Sequence, residues 1–283
     1  MHMDHPVVMG ILNVTPDSFS DGGKYTDVDA AVRHGIELHR AGADIVDVGG
    51  ESTRPGAERV DAETEIARVV PVIAELARAG VPLSIDTTRA AVALAALEAG
   101  ASVINDVSGG LADRGMAGVA AEVGCPWILM HWRGHSRHMT ELAVYRDVVS
   151  EVRDELLERV GEATAAGVGE SQIILDPGLG FAKTAEHNWA LSAHLDVLID
   201  LGYPVLFAAS RKTYLGRLLA GPDGAPRAVE DREAATLATS VLAVAAGAWG
   251  VRVHDVTATA DALAVWRATG SPRLRTVSAN EKE

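Results

Sequence analysis

Acidic and amide side chains stand at the points where several apolar segments of this chain end. Asp86, Asn105 and Asp176 lie near the ends of three separate segments. If these segments are parallel strands of one barrel, their carboxyl ends form one face, and the three side chains converge on one pocket. Two carboxylates and an amide suit a flat heterocycle that is rich in N–H donors. A single carboxylate at a strand end often only caps the next helix, so the set of three predicts the binding site.

Cationic side chains follow the last two apolar segments. Lys212 comes after the seventh segment, and Arg252 and His254 stand two residues apart on the eighth, hence on one face of a strand. The loops after the last two strands of a barrel often hold phosphate. In a chain with a net charge of −14, this group predicts an anion site. A competing interpretation pairs Arg252 or Lys212 with Asp86 or Asp255.

Two polar loops are expected to be mobile walls of the same site. The first follows the first apolar segment and carries Asn13, Asp17 and Asp21, whose oxygens are of the kind that Mg²⁺ accepts. It ends in the glycine pair 22–23, which permits the loop to fold over a ligand. The second loop, residues 51–57, contains both a rigid proline and a glycine. The alternative for the first loop is an ordinary loop between a strand and a helix, with a Thr-Pro-Asp turn.

Eight short apolar segments alternate with segments of helical periodicity, and this order indicates the elements that position the polar residues. The segments are Val7–Val14, Asp44–Gly50, Val81–Thr87, Ser102–Ser108, Trp127–Trp132, Ile173–Gly178, Val205–Ser210 and Gly250–Val256. Strands that are apolar on both faces belong to a parallel sheet covered by helices. We predict an α/β protein with a single (β/α)₈ TIM barrel over residues 1–270, followed by a polar C-terminal tail, 271–283. No Gly-x-Gly-x-x-Gly follows the first strand, which disfavours an open doubly wound sheet.

Composition narrows the class of partner. The chain has 283 residues, a hydrophobic fraction of 48% and no run of Lys or Arg, so a nucleic-acid or anionic membrane partner is not expected. Its one cysteine, Cys125, excludes an internal disulfide. The N-terminus lacks signal-peptide features, and no apolar run approaches the ~20 residues that span a bilayer. We therefore expect a cytoplasmic protein. No motif for a protein nucleophile is present, and a polar loop is the favoured interpretation of His135 and His138.

Seven motifs taken together resemble the dihydropteroate synthase family, in its actinobacterial form. These enzymes join a pterin pyrophosphate to p-aminobenzoate. The resemblance covers about residues 7–268 and rests on Gly10–Gly23, Asp47–Ala57, Ser84–Thr87, Asn105–Gly110, Leu175–Lys183, Ser210–Lys212 and Arg252–Asp255. The first two motifs are highly specific, whereas Ser-Arg-Lys alone would be weak.

The resemblance implies a transferase of folate biosynthesis that is a target of sulfonamides. It would condense 6-hydroxymethyl-7,8-dihydropterin pyrophosphate with p-aminobenzoate, by an SN1-like mechanism, to give 7,8-dihydropteroate and pyrophosphate. It also implies Mg²⁺ as cofactor and a homodimer.

The resemblance further implies a role for each matching residue. The implied pterin residues are Asp86, Asn105, Met130, Asp176, Phe181, Lys212 and Arg252; the p-aminobenzoate residues are Phe19, Thr53, Arg54, Pro55 and Ser210; the pyrophosphate residues are Asn13, Arg252 and His254; Asn13 binds Mg²⁺; and the catalytic residues are Asp86, Asp176, Lys212 and Asp21.

One departure from the family pattern keeps other functions in view. Ala208 stands where the family usually has glycine, and its methyl group would be absorbed by small backbone shifts or would crowd the pterin pocket. A non-catalytic pterin-binding homologue is therefore one alternative. Another is a methyltetrahydrofolate-binding methyltransferase domain, which would need neither the first loop nor a pyrophosphate site.

Overall fold

The computed structural model describes residues 5–15, 24–51, 59–134 and 141–270, with the backbone alone at 24–27. The predicted polar tail, 271–283, lies outside the described residues. The strands of the described part are β1 (Val7–Asn13), β2 (Ile45–Gly49), β3 (Leu83–Asp86), β4 (Val103–Asp106), β5 (Trp127–Met130), β6 (Ile173–Asp176), β7 (Leu206–Phe207) and β8 (Gly250–Val253). The helices are α1 (Lys24–Arg40), α2 (Ala62–Arg78), α3 (Ala90–Ala99), α4 (Met116–Val123), α5 (Val148–Ala165), α6 (Ala185–Ala193), α7 (Asp196–Ile199), α8 (Thr213–Leu218), α9 (Glu233–Ala246) and α10 (Val256–Ala268).

The strands form one parallel sheet that closes on itself. Neighbours run in the order β6-β5-β4-β3-β2-β1-β8-β7, and every ladder is parallel. A parallel bridge between Leu175 and Val205 joins the two ends of this order. Helices lie between successive strands along the chain. The predicted (β/α)₈ TIM barrel is confirmed.

Two apolar cores hold the barrel together. The larger core fills the space between the strands and the surrounding helices. The smaller one fills the barrel interior and consists of Val7, Met9, Ile45, Val103, Ile128, Ile174 and Leu206. Because side chains alternate between the two faces of a strand, the next inward-facing position on each strand lies two residues further along. The inner core therefore supports a second layer of side chains, nearer the carboxyl ends of the strands.

Two acidic residues at the ends of strands have structural partners. Asp255 caps α10 by accepting a hydrogen bond from Ala258 N at 3.0 Å. Asp106, fully buried, accepts from Ser108 N at 2.8 Å, Ser108 Oγ at 2.6 Å and Gly110 N at 2.8 Å. These carboxylates thus shape the start of a helix and a loop. Among the helices of the described residues, none is long and apolar enough to cross a membrane.

Candidate active site at the barrel mouth

The polar layer of the barrel follows from the alternation of strand residues. Asp47, Asn105 and Asp176 each lie two positions after a member of the inner core, on β2, β4 and β6. All three are at least 97% buried. Arg252 stands in the corresponding layer of β8, where it pairs in register with Met9 of β1. The sequence thus places acids, an amide and a cation at one depth of the barrel, directly above an apolar floor.

Arg252 connects two carboxylates in this layer. Its Nε donates to Asp47 Oδ2 at 2.6 Å and its Nη2 donates to Asp86 Oδ2 at 2.6 Å. Asp47 also accepts from Asn105 Nδ2 at 2.9 Å and from Ser84 Oγ at 2.5 Å. Hydrogen bonds between ionised groups are the strongest kind in proteins. The network therefore fixes the side chains of Arg252 and Asn105.

A second group comes from the loops after β6 and β7. Asp176 Oδ1 accepts from Gly178 N at 2.7 Å, and Lys212 Nζ donates to the carbonyl of Leu179. The Lys212 ammonium also lies 4.9 Å from the centroid of the Phe181 ring, a cation–π distance. The loop after β6 is therefore bound both to the end of its own strand and to Lys212, the residue that precedes α8.

Burial shifts the pKa values of the charged groups, and the groups act on one another. Desolvation raises the pKa of Asp86 to about 7, with Asp47 adding to the rise and Arg252 opposing it. Desolvation lowers the pKa of Lys212 to about 8, against the attraction of Asp176 and Asp86. The pKa of Asp176 is also raised by desolvation and held down by Lys212. Charges from both groups therefore share one electrostatic environment.

Ser210 and His254 form a third contact at the mouth. Ser210 Oγ lies 2.8 Å from His254 Nδ1 and accepts from the backbone N–H of His254 at 3.2 Å. Since the hydroxyl oxygen accepts a hydrogen bond from the backbone N–H, the hydroxyl can donate its own hydrogen bond to Nδ1. In that arrangement the imidazole carries its proton on Nε2. The sequence analysis predicts that Ser210 binds p-aminobenzoate and that His254 binds pyrophosphate. The structure shows that they touch.

The structure brings together most of the predicted site residues that it describes. Asp86, Asn105 and Arg252 belong to one network, and Asp176, Phe181 and Lys212 to the second group. Met130 is 3% exposed at the end of β5, in register with Asp176, and Asn13 ends β1. The predicted residues Phe19, Asp21, Thr53, Arg54 and Pro55, like Asp17 and the histidines 135 and 138, lie outside the described residues.

The competing interpretation of the cations is partly correct. Arg252 does pair with Asp86, so it is not an isolated anion receptor. Lys212 instead contacts a backbone carbonyl and the Phe181 ring. Ala208 is 8% exposed, and its backbone does not adopt a positive φ. The alanine therefore fits the backbone without strain, and its effect on ligand binding stays a prediction.

Two polar features of the site were given no role by the sequence interpretation. Asp47 enters the sequence analysis only as the first residue of a family motif, although the two-residue alternation after Ile45 would have placed it in the pocket layer. The second feature is an ion-pair cluster in which Arg89 contacts Glu51 at 2.9 Å and also binds Glu65. Glu65 is 1% exposed, and the sequence alone does not distinguish it from other polar residues of an amphipathic helix.

The described residues also bear on metal binding. They contain no group of three or more His, Cys, Asp or Glu side chains that could hold an ion. Mg²⁺ is commonly held through one or two protein oxygens together with substrate phosphates. The amide of Asn13, at the end of β1, fits that kind of site and does not by itself make a resident metal centre.

Comparison with known proteins agrees with this geometry. The family model described as pterin binding enzyme matches residues 9–254. The dihydropteroate synthase of Mycobacterium leprae is 59% identical over 259 residues, which are 91% of this chain and 91% of that protein. A structure of Xanthomonas albilineans dihydropteroate synthase with 4-aminobenzoic acid has a TM-score of 0.87 at 47% identity, covering 95% of this chain and 94% of that one. A sulfonamide complex of the Yersinia pestis enzyme has a TM-score of 0.86 at 40% identity, covering 96% of each chain. The chain therefore belongs to the dihydropteroate synthase family of pterin-binding enzymes.

Proposed function

We propose that the polar layer at the barrel mouth binds the pterin of 6-hydroxymethyl-7,8-dihydropterin pyrophosphate and that the chain transfers its methylene carbon to p-aminobenzoate. The observation that carries this proposal is the convergence of Asp86, Asn105 and Arg252 with Asp176 and Lys212 above one apolar floor. Small-molecule substrates agree with the ligand present in the related structure. The products would be 7,8-dihydropteroate and pyrophosphate.

The pterin ring presents several N–H donors and acceptors at its edges, which suits this layer. The carboxylates of Asp86 and Asp176 would accept hydrogen bonds from ring N–H groups, and Asn105 would both donate and accept. Met130 and Phe181 would contact the ring faces. Arg252 donates a hydrogen bond of 2.6 Å to the carboxylate of Asp86. Because the ligand would bind the same carboxylate, this hydrogen bond orients it before the ligand arrives.

The residues present fit an SN1-like reaction. The bond between the methylene carbon and the diphosphate oxygen breaks first, and its electron pair leaves with the diphosphate. Asp86 and Asp176 would stabilise the positive charge left on the pterin, and this electrostatic stabilisation is large in a desolvated site. The amine of p-aminobenzoate then attacks the carbon and releases a proton. An aromatic amine is already neutral at neutral pH, so neither a protein nucleophile nor a strong base is needed.

Departure of the diphosphate requires positive charge and hydrogen-bond donors at the rim. Arg252, His254 and Asn13 would receive it, and Ser210 would orient the imidazole of His254. Mg²⁺, carried on the diphosphate and bound by the Asn13 amide, would supply neutralising charge when present.

The p-aminobenzoate site would combine Ser210 with Phe19, Thr53, Arg54 and Pro55, and Asp21 would act beside the diphosphate. Apart from Ser210, these residues lie outside the described ranges. Their roles in the proposal come from the family motifs of the two long loops.

A homodimer and a cytoplasmic location complete the proposal. Leu242 on α9 and Val265 on α10 are apolar and 68% and 65% exposed, and a second copy of the chain would cover such a surface. Sedimentation in the analytical ultracentrifuge at micromolar concentration should report a dimer, and a monomer would contradict it. The single, buried Cys125 needs no oxidising compartment.

Turnover and binding measured on the same variants test the proposed function. Purified protein, pterin pyrophosphate, p-aminobenzoate and Mg²⁺ should yield dihydropteroate and pyrophosphate. Asp176→Asn should weaken pterin binding by about 1–3 kcal/mol, since a charge-assisted hydrogen bond is lost. Asp261→Asn, an exposed aspartate on α10, is the matched control. No product at high enzyme concentration, or an unchanged pterin Kd for Asp176→Asn, would refute the assignment.

A further inference from the structure

Three ionisable side chains beside the polar layer have no part in the reaction described above. Lys183 Nζ lies 2.8 Å from His131 Nδ1, and His131 Nε2 lies 2.9 Å from Glu155 Oε2. His131 directly follows β5 and is 2% exposed. Glu155 lies on α5, where it also accepts from Arg133 Nε at 3.1 Å. The contacts form a chain from α5, through the end of β5, to the loop after β6.

The contacts between these three side chains determine which atom donates and which accepts in each hydrogen bond. Burial opposes ionisation of Glu155, but the hydrogen bonds from His131 and Arg133 outweigh it and lower the pKa to about 2. The carboxylate therefore only accepts, so His131 must carry a proton on Nε2. Desolvation, aided by the charge of Lys183, lowers the pKa of His131 to about 4, so the ring is neutral at neutral pH. Its Nδ1 is then an acceptor, and Lys183 must be the donor.

Lys183 uses its remaining protons on the loop after β6. It donates to Gly178 O at 3.0 Å and to Phe181 O at 3.1 Å. Burial, with the charge of Lys212 adding to it, lowers the pKa of Lys183. Together with His131 Nδ1, these carbonyls provide an acceptor for each of the three N–H groups of the ammonium form, which favours that form. The loop backbone has positive φ at Gly178, Gly180 and Ala182, a conformation that is unfavourable for alanine. A Cβ at Gly178 would come within 2.2 Å of His131 O. A tight, partly strained turn of this kind depends on its hydrogen bonds.

The same turn carries groups of the pterin layer. Phe181 lies in it, Lys212 binds the carbonyl of Leu179, and Gly178 N binds Asp176. A shift of the turn would therefore displace the ring of Phe181 and the partners of Asp176 and Lys212. Ser210 and His254, which follow β7 and β8, contact each other.

We propose that Lys183, oriented by His131 and Glu155, is a positioning residue that sets the affinity of the site for the pterin by fixing the turn 177–182. This inference rests on the proposed function, because it takes Asp176, Phe181 and Lys212 to be pterin contacts. It assigns a role to three side chains that touch neither substrate. Its consequence is selective: the pterin step depends on Lys183, and the p-aminobenzoate step does not.

Lys183→Met tests the proposal, because methionine retains an unbranched side chain and donates no proton. We expect the pterin Kd, measured by titration calorimetry, to rise roughly tenfold to a hundredfold, as for the loss of a small number of hydrogen bonds from a charged donor. The KM for p-aminobenzoate at saturating pterin pyrophosphate should stay within about twofold, because the Ser210 region keeps its contacts. Nitrogen-15 NMR should show His131 with its proton on Nε2 in the wild type and a changed Nδ1 resonance in Lys183→Met.

Two further variants keep the test decisive if Lys183→Met does not fold. His131→Asn places a small amide where Nδ1 lies and breaks the link to Glu155, so it should raise the pterin Kd less than His131→Leu. Glu155→Gln should also raise the pterin Kd, whereas its control Glu158→Gln, on the exposed face of α5 and 66% exposed, should not.

The outcomes separate this inference from the proposed function. A wild type that does not bind pterin, or Asp176→Asn that binds it normally, refutes the function itself. The positioning role alone is refuted if the wild type binds pterin and turns over, and folded Lys183→Met binds pterin as well as the wild type does. The same holds if both His131 variants bind pterin as well as the wild type does. Equal rises in the pterin Kd and the p-aminobenzoate KM also overturn it, since they indicate a general structural effect.

Discussion

The substitution Asp47→Asn tests whether a carboxylate that touches no substrate controls the pterin layer. Asp47 is fully buried and accepts hydrogen bonds from Ser84, Asn105 and Arg252. Asparagine has nearly the same shape. Its oxygen can accept from Asn105 and Arg252, while its NH₂ group donates to the Ser84 hydroxyl, which then acts as an acceptor. The geometry can therefore survive, and what disappears is the negative charge.

The magnitude follows from the kind of bond that changes. A hydrogen bond to a charged group contributes about 1.5–3 kcal/mol and a neutral one about 0.5–1.5 kcal/mol. Asn105 and Arg252 would each be held less firmly by about 1 kcal/mol. We expect the pterin Kd to rise roughly tenfold, which is about 1.4 kcal/mol. Asp47→Ala should cost more stability, about 3–5 kcal/mol, because it leaves a buried cation with one partner fewer.

Calorimetric titration with the pterin and chemical unfolding, on the same preparations, measure the two effects. Asp44→Asn is the control on the opposite end of β2, because an asparagine there can still accept the hydrogen bond from Val8 N. Ser84→Ala removes only the hydroxyl beside Asp47 and should leave the pterin Kd nearly unchanged. A pterin Kd for Asp47→Asn equal to that of Asp44→Asn would show that orientation by Asp47 is unimportant, and the argument would fail.

Three further predictions concern charge and the second substrate. Pterin affinity should fall as pH drops through about 7, where Asp86 gains a proton. The midpoint of this fall should move to lower pH in Asp47→Asn, since the negative charge beside Asp86 is gone. A calorimetric profile of pterin affinity that is flat across this pH range would contradict both expectations. Ser210→Ala should weaken binding of pterin pyrophosphate roughly tenfold and leave the pterin alcohol, which lacks the diphosphate, unaffected, because His254 loses its orienting contact; equal losses for both ligands would refute it. Sulfonamides should inhibit competitively with p-aminobenzoate, as the complex of the related Yersinia pestis enzyme suggests; inhibition that does not change with p-aminobenzoate concentration would exclude a shared site.

The barrel was predictable because its signal is local and repeated. The strand Ile173–Asp176 is apolar on both faces and ends in a polar residue, and β1, β3 and β4 also end in Asn or Asp. Lengths were less predictable. The predicted strand Val205–Ser210 pairs through a single bridge at Val205 and through Leu206–Phe207, because the backbone then leaves the ladder and reaches a positive φ at Arg211. Apolar composition reports burial, and it does not report where hydrogen bonding stops.

The polar residues of the barrel mouth were predictable from strand ends and family motifs, but their partners were not. Arg252 and Asp47 are 205 positions apart in sequence. Their contact follows only once the neighbours of β1 are known: Met9 pairs with Arg252 on one side and with Ile45 on the other. The contact between Lys183 and His131 likewise depends on the path of a turn. Residue type suggests which groups can meet, and barrel closure decides which of them do.

The charges of the pocket connect the pKa values of its carboxylates with the proposed chemistry. Asp47, Asp86 and Asp176 lie with Arg252 and Lys212 in a desolvated layer. Desolvation is the largest cause of the raised pKa values of Asp86 and Asp176, and the charge of Asp47 adds to the rise at Asp86. Negative charge on these two carboxylates is therefore unfavourable until positive charge appears nearby. A reaction that leaves a cation on the bound ring provides that charge only as the diphosphate departs, so the carboxylates stabilise the transition state more than the ground state.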